Sequence, residues 1–182
     1  MVTNETALMD YEQARVNMVE SQVRTWEVLD DKILKLLLKV KREAFVPPAS
    51  RSLAFIDMEI PIGYGEVMLQ PKLEARLLQA LNLQPSDTVL EVGTGTGHCT
   101  ALLATLSAKV HSVEIHADLH HTAARNLRLA GIDNVALYIG NADGLGVTVT
   151  PFLTGLTIGS VINLSRVGAQ ANRLACSVTG AP

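Results

Sequence analysis

Residues 89–97, Val-Leu-Glu-Val-Gly-Thr-Gly-Thr-Gly, constrain this chain more than any other segment. A β-branched, apolar strand over 88–92 carries Glu91 near its end and breaks into Gly93, Gly95 and Gly97, with Thr94 and Thr96 between them. A helical run of small and apolar residues, 99–107, follows. Glycine gives the backbone positive φ and lets it approach a ligand closely. The helix that follows presents unpaired N–H groups to that ligand. Strand, glycine turn and helix together predict a nucleotide-cofactor site. The dinucleotide fingerprint wants its third Gly three residues after the second, and that position here is His98. The spacing therefore argues against a dinucleotide.

The pattern around the turn supplies the architecture. Strands are predicted over 109–115, ending near Glu114, and over 134–139, with a helix over 117–130 stopped by Gly131. Strands separated by helices imply parallel pairing and right-handed crossovers, an α/β, Rossmann-like sheet. Glu91, Glu114 and Asp143 fall at the C-terminal ends of successive strands, the ligand edge of such a sheet. Glu91 is suited to a cationic amino group or a ligating water. Glu114 is suited to accept from both hydroxyls of a ribose, and Asp143 from an adenine amino group.

Ahead of the sheet, residues 12–27 read as an amphipathic helix. Asp30 and Asp31 can cap a second, with Ile33, Leu34, Leu36, Leu37, Leu38 and Val40 apolar. Lys32, Lys35, Lys39, Lys41 and Arg42 give that helix a basic face, expected to be solvated. Residues 49–70 read as a long irregular connection, a length that usually marks function. Pro71 opens a helix to about Asn82, with Leu73, Leu77, Leu78 and Leu81 on one face. His116 and His120 lie one helical turn apart, but without the Glu of a zinc-protease motif no metal is expected. Cys99 reads as a packing residue.

The segments Met18-Val19-Glu20-Ser21-Gln22-Val23, Arg42-Glu43-Ala44-Phe45-Val46-Pro47, Ile60-Pro61-Ile62-Gly63-Tyr64-Gly65, the glycine turn, Val113-Glu114, Asn134-Val135 and Asp143-Gly144 occur in one order. In that order they resemble the protein-L-isoaspartate (D-aspartate) O-methyltransferase family, over residues 18 to about 145. The Gly-x-Gly-x-Gly spacing behind Glu91 is likewise that of S-adenosylmethionine-dependent methyltransferases. The resemblance implies a Rossmann-like fold with a helical N-terminal segment, and S-adenosylmethionine bound by Glu91, Gly93, Thr94, Gly95, Thr96, Gly97, Glu114 and Asp143. It implies methyl transfer to the side-chain carboxylate of L-isoaspartyl residues in damaged proteins. The ester then collapses to a succinimide that partly reopens as aspartate. The acceptor carboxylate is already ionised at neutral pH, so alignment and desolvation carry the rate. The loop through Ile60, Leu69, Gln70 and Pro71 is expected to cover the substrate.

Two departures stand against this pattern. The family's assigned catalytic Ser lies two residues before Pro71, where this chain has Leu69. From Gly146 onward the resemblance stops, and residues 146–182 hold no Asp or Glu and only Arg166 and Arg173. The expected organisation is a helical and loop segment over 1–84, a cofactor-binding βαβαβ half over 85–145, and an atypical tail over 146–182. One more strand is predicted within 156–164, and the sheet is expected to be incomplete. A change of reading frame near Leu145 would explain the break. The alternatives are a non-catalytic remnant that at most binds S-adenosylmethionine, or a methyltransferase with another acceptor.

Composition excludes other classes. A chain of 182 residues suggests one domain, and a formal net charge of -3 leaves no footprint for nucleic acid. Residues 144–165 are uncharged, but their threonines, serines, glycines and Pro151 argue against a membrane span. Two cysteines, Cys99 and Cys176, and a start without an apolar leader predict a cytoplasmic protein.

Overall fold

The structure is a computed structural model, described over residues 10–141 and 160–163. Asp10 caps the first helix, α1 (Tyr11–Met18), its Oδ1 accepting from the amides of Glu12 and Gln13. The chain then widens into a π-turn, Val19–Val23, and tightens into a 3₁₀ turn, Arg24–Trp26. The helix predicted over 12–27 is thus three windings in succession. Met18, Val19 and Val23 are buried by it. Glu27, at φ +60°, ends it.

Asp30 caps α2 (Asp31–Lys39) through the amide of Lys32. Ile33, Leu34, Leu36, Leu37 and Val40 are buried, whereas Leu38 is exposed. Burial of such side chains contributes about 1.5–3 kcal/mol each, and α2 makes it against α3 and α4. The lysines of this helix are exposed, but Arg42 is not part of a solvated basic face: it is only 2% exposed.

The stretch 49–70, read as irregular, holds two ordered pieces. Pro48–Leu53 is a 3₁₀ turn, and β1 (Ile60–Gly63) pairs antiparallel with β2 (Glu66–Met68). Tyr64 and Gly65 take φ of +57° and +81°, the doubly left-handed turn that matches the twist of a tight hairpin. Pro71 then begins α3 (Pro71–Leu81), which Asn82 ends at φ +45°.

The sheet follows closely as predicted. Its strands are β3 (Thr88–Val92), β4 (Lys109–Glu114) and β5 (Val135–Ile139), with β4 parallel to both neighbours. The helices between them are α4 (His98–Leu106) and α5 (Ala117–Leu129), which pack on the sheet and on each other. A fourth strand, β6 (Ser160–Asn163), lies within the predicted 156–164 and pairs antiparallel with β3, giving the order β5-β4-β3-β6. One hydrophobic core runs from Met18 and Leu37 through Phe45, Ile60 and Leu78 to Leu102 and Val110. No helix among the described residues is long and apolar enough to cross a membrane.

Candidate functional site

The ends of β3 and β4 place the glycine turn and Glu114 side by side. Gly93, Gly95 and Gly97 all take positive φ, at +91°, +56° and +90°. At Gly97 there is also no room for a side chain, since a Cβ would stand 3.2 Å from Ala123 Cβ. That glycine lets α4 and α5 approach. At Gly95 a Cβ would meet Ile62 Cδ1 at 3.1 Å, so the β1–β2 hairpin comes down onto the turn.

Glu114 is organised by two backbone amides. Its Oε2 accepts from Gly95 N at 2.8 Å and its Oε1 from His116 N at 2.9 Å. A carboxylate offers about four acceptor positions, so each oxygen can still take a hydroxyl. That capacity, at the sheet's ligand edge beside an open glycine backbone, fits the ribose of a nucleoside cofactor. Thr94 and Thr96, also in the turn, are buried. Asn126 donates to the Thr96 carbonyl and ties the turn to α5.

Glu91 does something other than expected. It is not at the surface of the turn but 1% exposed, with Oε2 accepting from Thr100 Oγ1 at 2.5 Å and Ser112 Oγ at 2.6 Å. Ser112 gives its proton to Glu91, so Thr94 Oγ1 is the donor in the 2.6 Å contact with Ser112. The carboxylate therefore braces the turn from behind through Thr94, Ser112 and Thr100. Burial pushes the Glu91 carboxyl up to about 7, against the lowering effect of its hydrogen bonds to Ser112, Thr100 and Cys99. Burial, with Glu91 adjacent, raises the Cys99 thiol well above its ordinary value and keeps it protonated.

The loop residues separate into two groups. Leu69 and Gln70 are half-buried, beside the hairpin's second strand. Ile60 belongs to the core, with no exposed surface, and Pro71 is buried as the first residue of α3. Asp143 lies outside the described residues.

A buried ionic cluster escaped the sequence reading. Arg42 donates to Glu74 Oε2 at 2.9 Å, and His98 Nδ1 lies 3.0 Å from Glu74 Oε1 and 2.9 Å from Oε2. The carboxylate can only accept, so the imidazole donates from Nδ1. The His98 ring packs edge-on against Phe45. Burial raises the Glu74 carboxyl, but His98 and Arg42 more than offset it and leave it below its ordinary value. Removing one partner of such a pair costs about 3–5 kcal/mol, whereas an apolar substitute for the whole pair is often neutral. The signal was available at Glu74, a carboxylate set within the apolar stripe of Leu73, Leu77 and Leu78. A second feature, at the hairpin tip, gave no such signal. The Tyr64 hydroxyl donates to Asp118 and its ring stacks on His116 at 4.2 Å.

The sequence model of the family "Protein-L-isoaspartate(D-aspartate) O-methyltransferase (PCMT)" matches residues 13–151. The chain belongs to this family. A protein-L-isoaspartate O-methyltransferase of Roseiflexus castenholzii is 38% identical over 133 residues, 73% of this chain and 61% of the relative. Another, from Anaeromyxobacter sp., is 40% identical over 130 residues, 71% of this chain and 54% of the relative. Among solved structures, a protein-L-isoaspartate O-methyltransferase superposes with a TM-score of 0.59 at 27% identity, over 70% of this chain and 42% of that one. A Plasmodium falciparum structure of the same description, in complex with S-adenosyl-L-homocysteine, gives a TM-score of 0.59 over 74% of this chain and 64% of that one; at 21% identity it shows the fold alone. The chain spans about three fifths of the length of the curated relatives it matches.

Proposed function

We propose that this chain binds S-adenosylmethionine at the glycine turn and transfers its methyl group to the side-chain carboxylate of L-isoaspartyl residues in proteins. The observation that carries the reading is the Glu114 carboxylate, oriented by the amides of Gly95 and His116 beside an open glycine backbone, in a chain of the isoaspartate methyltransferase family. The cofactor supplies, when bound, a methyl group on a sulfonium leaving group. The residues of the chain supply its position. Gly93 and Gly95 put no side chain in the ligand's way while their amides hold Val113 and Glu114, Glu114 accepts from the ribose, and Glu91 stiffens the turn from behind. Asp143, outside the described residues, takes the adenine amino group in this reading.

The acceptor needs no general base, because its carboxylate is ionised at neutral pH. It needs a dry, aligned approach, and the hairpin seated on Gly95 excludes water from that side. One observation favours a second reading, cofactor binding without turnover. At residue 69, the position of the family's Ser, a leucine stands and offers no hydroxyl to the acceptor carboxylate.

Purified protein given an isoaspartyl peptide and methyl-labelled cofactor is expected to form a base-labile methyl ester. Calorimetry with S-adenosylhomocysteine runs beside it on wild type and Glu114→Gln. The variant is expected to bind about 10- to 100-fold more weakly, the worth of hydrogen bonds to a charged acceptor. Binding without ester decides for the second reading. Equal affinity of wild type and variant removes Glu114 from the site.

A further inference from the structure

Arg42 uses its guanidinium on more than Glu74. Its Nε donates to the carbonyl of Ala54 at 2.8 Å and its NH2 to the carbonyl of Leu69 at 2.5 Å. Ala54 follows the 3₁₀ turn that precedes the hairpin, and Leu69 follows the hairpin's last residue, Met68. The two carbonyls bracket the segment that crosses the glycine turn. A planar guanidinium can hold three acceptors in one fixed fork, which an ammonium cannot. The other end of the cluster reaches the turn itself, since His98, bound to Glu74, is the first residue of α4 and follows Gly97.

We propose that Arg42 is the positioning residue of a lid: it clamps both roots of the β1–β2 hairpin and, through Glu74 and His98, ties them to the glycine turn. Seating of the hairpin and filling of the turn are then one coupled event. Three contacts place the hairpin as the moving part. Its root is held by Arg42, its middle lies against the turn through Ile62 and Gly95, and its tip rests on α5 through Tyr64 with His116 and Asp118. The tip is exposed while the root is buried, so opening is expected to start at Tyr64 and end at Leu69. The coupling rests on reading the turn as a cofactor site; the clamp itself does not.

Hydrogen exchange by mass spectrometry on the full chain separates the two. The proteins are wild type, Arg42→Lys, and Glu43→Gln as a control. The control weakens another buried pair, Arg15 with Glu43 at 2.5 Å, that has no bond to the hairpin. Without ligand, Arg42→Lys is expected to speed exchange of amides 60–68 at least about tenfold, with β3, β4 and α5 unchanged, while Glu43→Gln leaves the hairpin slow. With S-adenosylhomocysteine, wild type is expected to gain protection at both the turn and the hairpin, and Arg42→Lys at the turn alone. Unchanged hairpin exchange in ligand-free Arg42→Lys overturns the clamp. Hairpin protection by the ligand in that variant overturns the coupling. If no protein binds the ligand, the cofactor reading fails, and the ligand-free comparison still decides the clamp. Should Arg42→Lys not fold, the double variant Arg42→Met with Glu74→Gln, which removes the guanidinium together with the charge it neutralises, carries the same comparison with the same outcomes.

Discussion

Among single residues, Glu91 shows how burial changes a role that position alone suggests. Its carboxyl is raised to about 7 from an ordinary 4.5. Below pH 4.5 it is protonated in the folded and unfolded chain alike and costs nothing. Between those values the unfolded chain ionises first, so stability falls as pH rises, by about 3 kcal/mol in all, and the loss is complete above the folded value. Glu91→Gln does not titrate and keeps an acceptor for Thr100 and Ser112. Urea unfolding is expected to show the variant gaining on wild type from pH 4.5 to 7.5 by that amount. A pH-independent difference would refute the assignment. Glu114 stands at the end of β4, where the sequence pattern places it. Glu91 stands one residue short of the end of β3, opposite Ser112, and lies behind the turn, where Thr100 and Ser112, both buried, offer it hydroxyls from neighbouring elements.

Elements were legible where their periodicity was unbroken. The strands β3 to β5 and helices α4 and α5 lie within a residue or so of their predicted bounds, because alternation and glycine stops act locally. The hairpin was missed because Pro61, Gly63 and Gly65 read as loop, and its pairing joins two strands of four and three residues. The contact of α4 with α5 depends on a single glycine. Gly97→Ala combines a φ of +90° with a Cβ 3.2 Å from Ala123 Cβ and 3.3 Å from its Cα, so backbone must shift. Its cost is expected to be about 2–4 kcal/mol, from strain and overpacking together. Thermal unfolding checks this, and Gly63→Ala serves as comparison. Gly63 also has positive φ, at +104°, but nothing within 4 Å, so that variant should carry strain alone. Equal losses in the two variants would show that helix approach is not the constraint.

At the scale of the whole molecule, the sheet among the described residues carries two parallel pairings and one antiparallel one. The flank of β3 away from β4 is taken by Ser160–Asn163, which runs antiparallel to it. This coincides with the loss of every acidic residue after position 145 and with the end of the family match at residue 151. A change of reading frame near codon 145 predicts a family-like continuation in one of the other two frames of the coding DNA. Sequencing that region tests it, and no such continuation in either frame would remove the idea. The sequence by itself determined the strand-and-helix half around the glycine turn, since strand, glycine turn, helix and strand-end acid are set by residues near one another. Only the tertiary structure decided that Arg42, Glu74 and His98 meet, because they come from three elements and periodicity reports which face is apolar, not which buried charges share it. A buried charge persists only where a partner arrives from elsewhere in the fold, and that arrival is what joins the loop at Leu69 to the turn at Gly97.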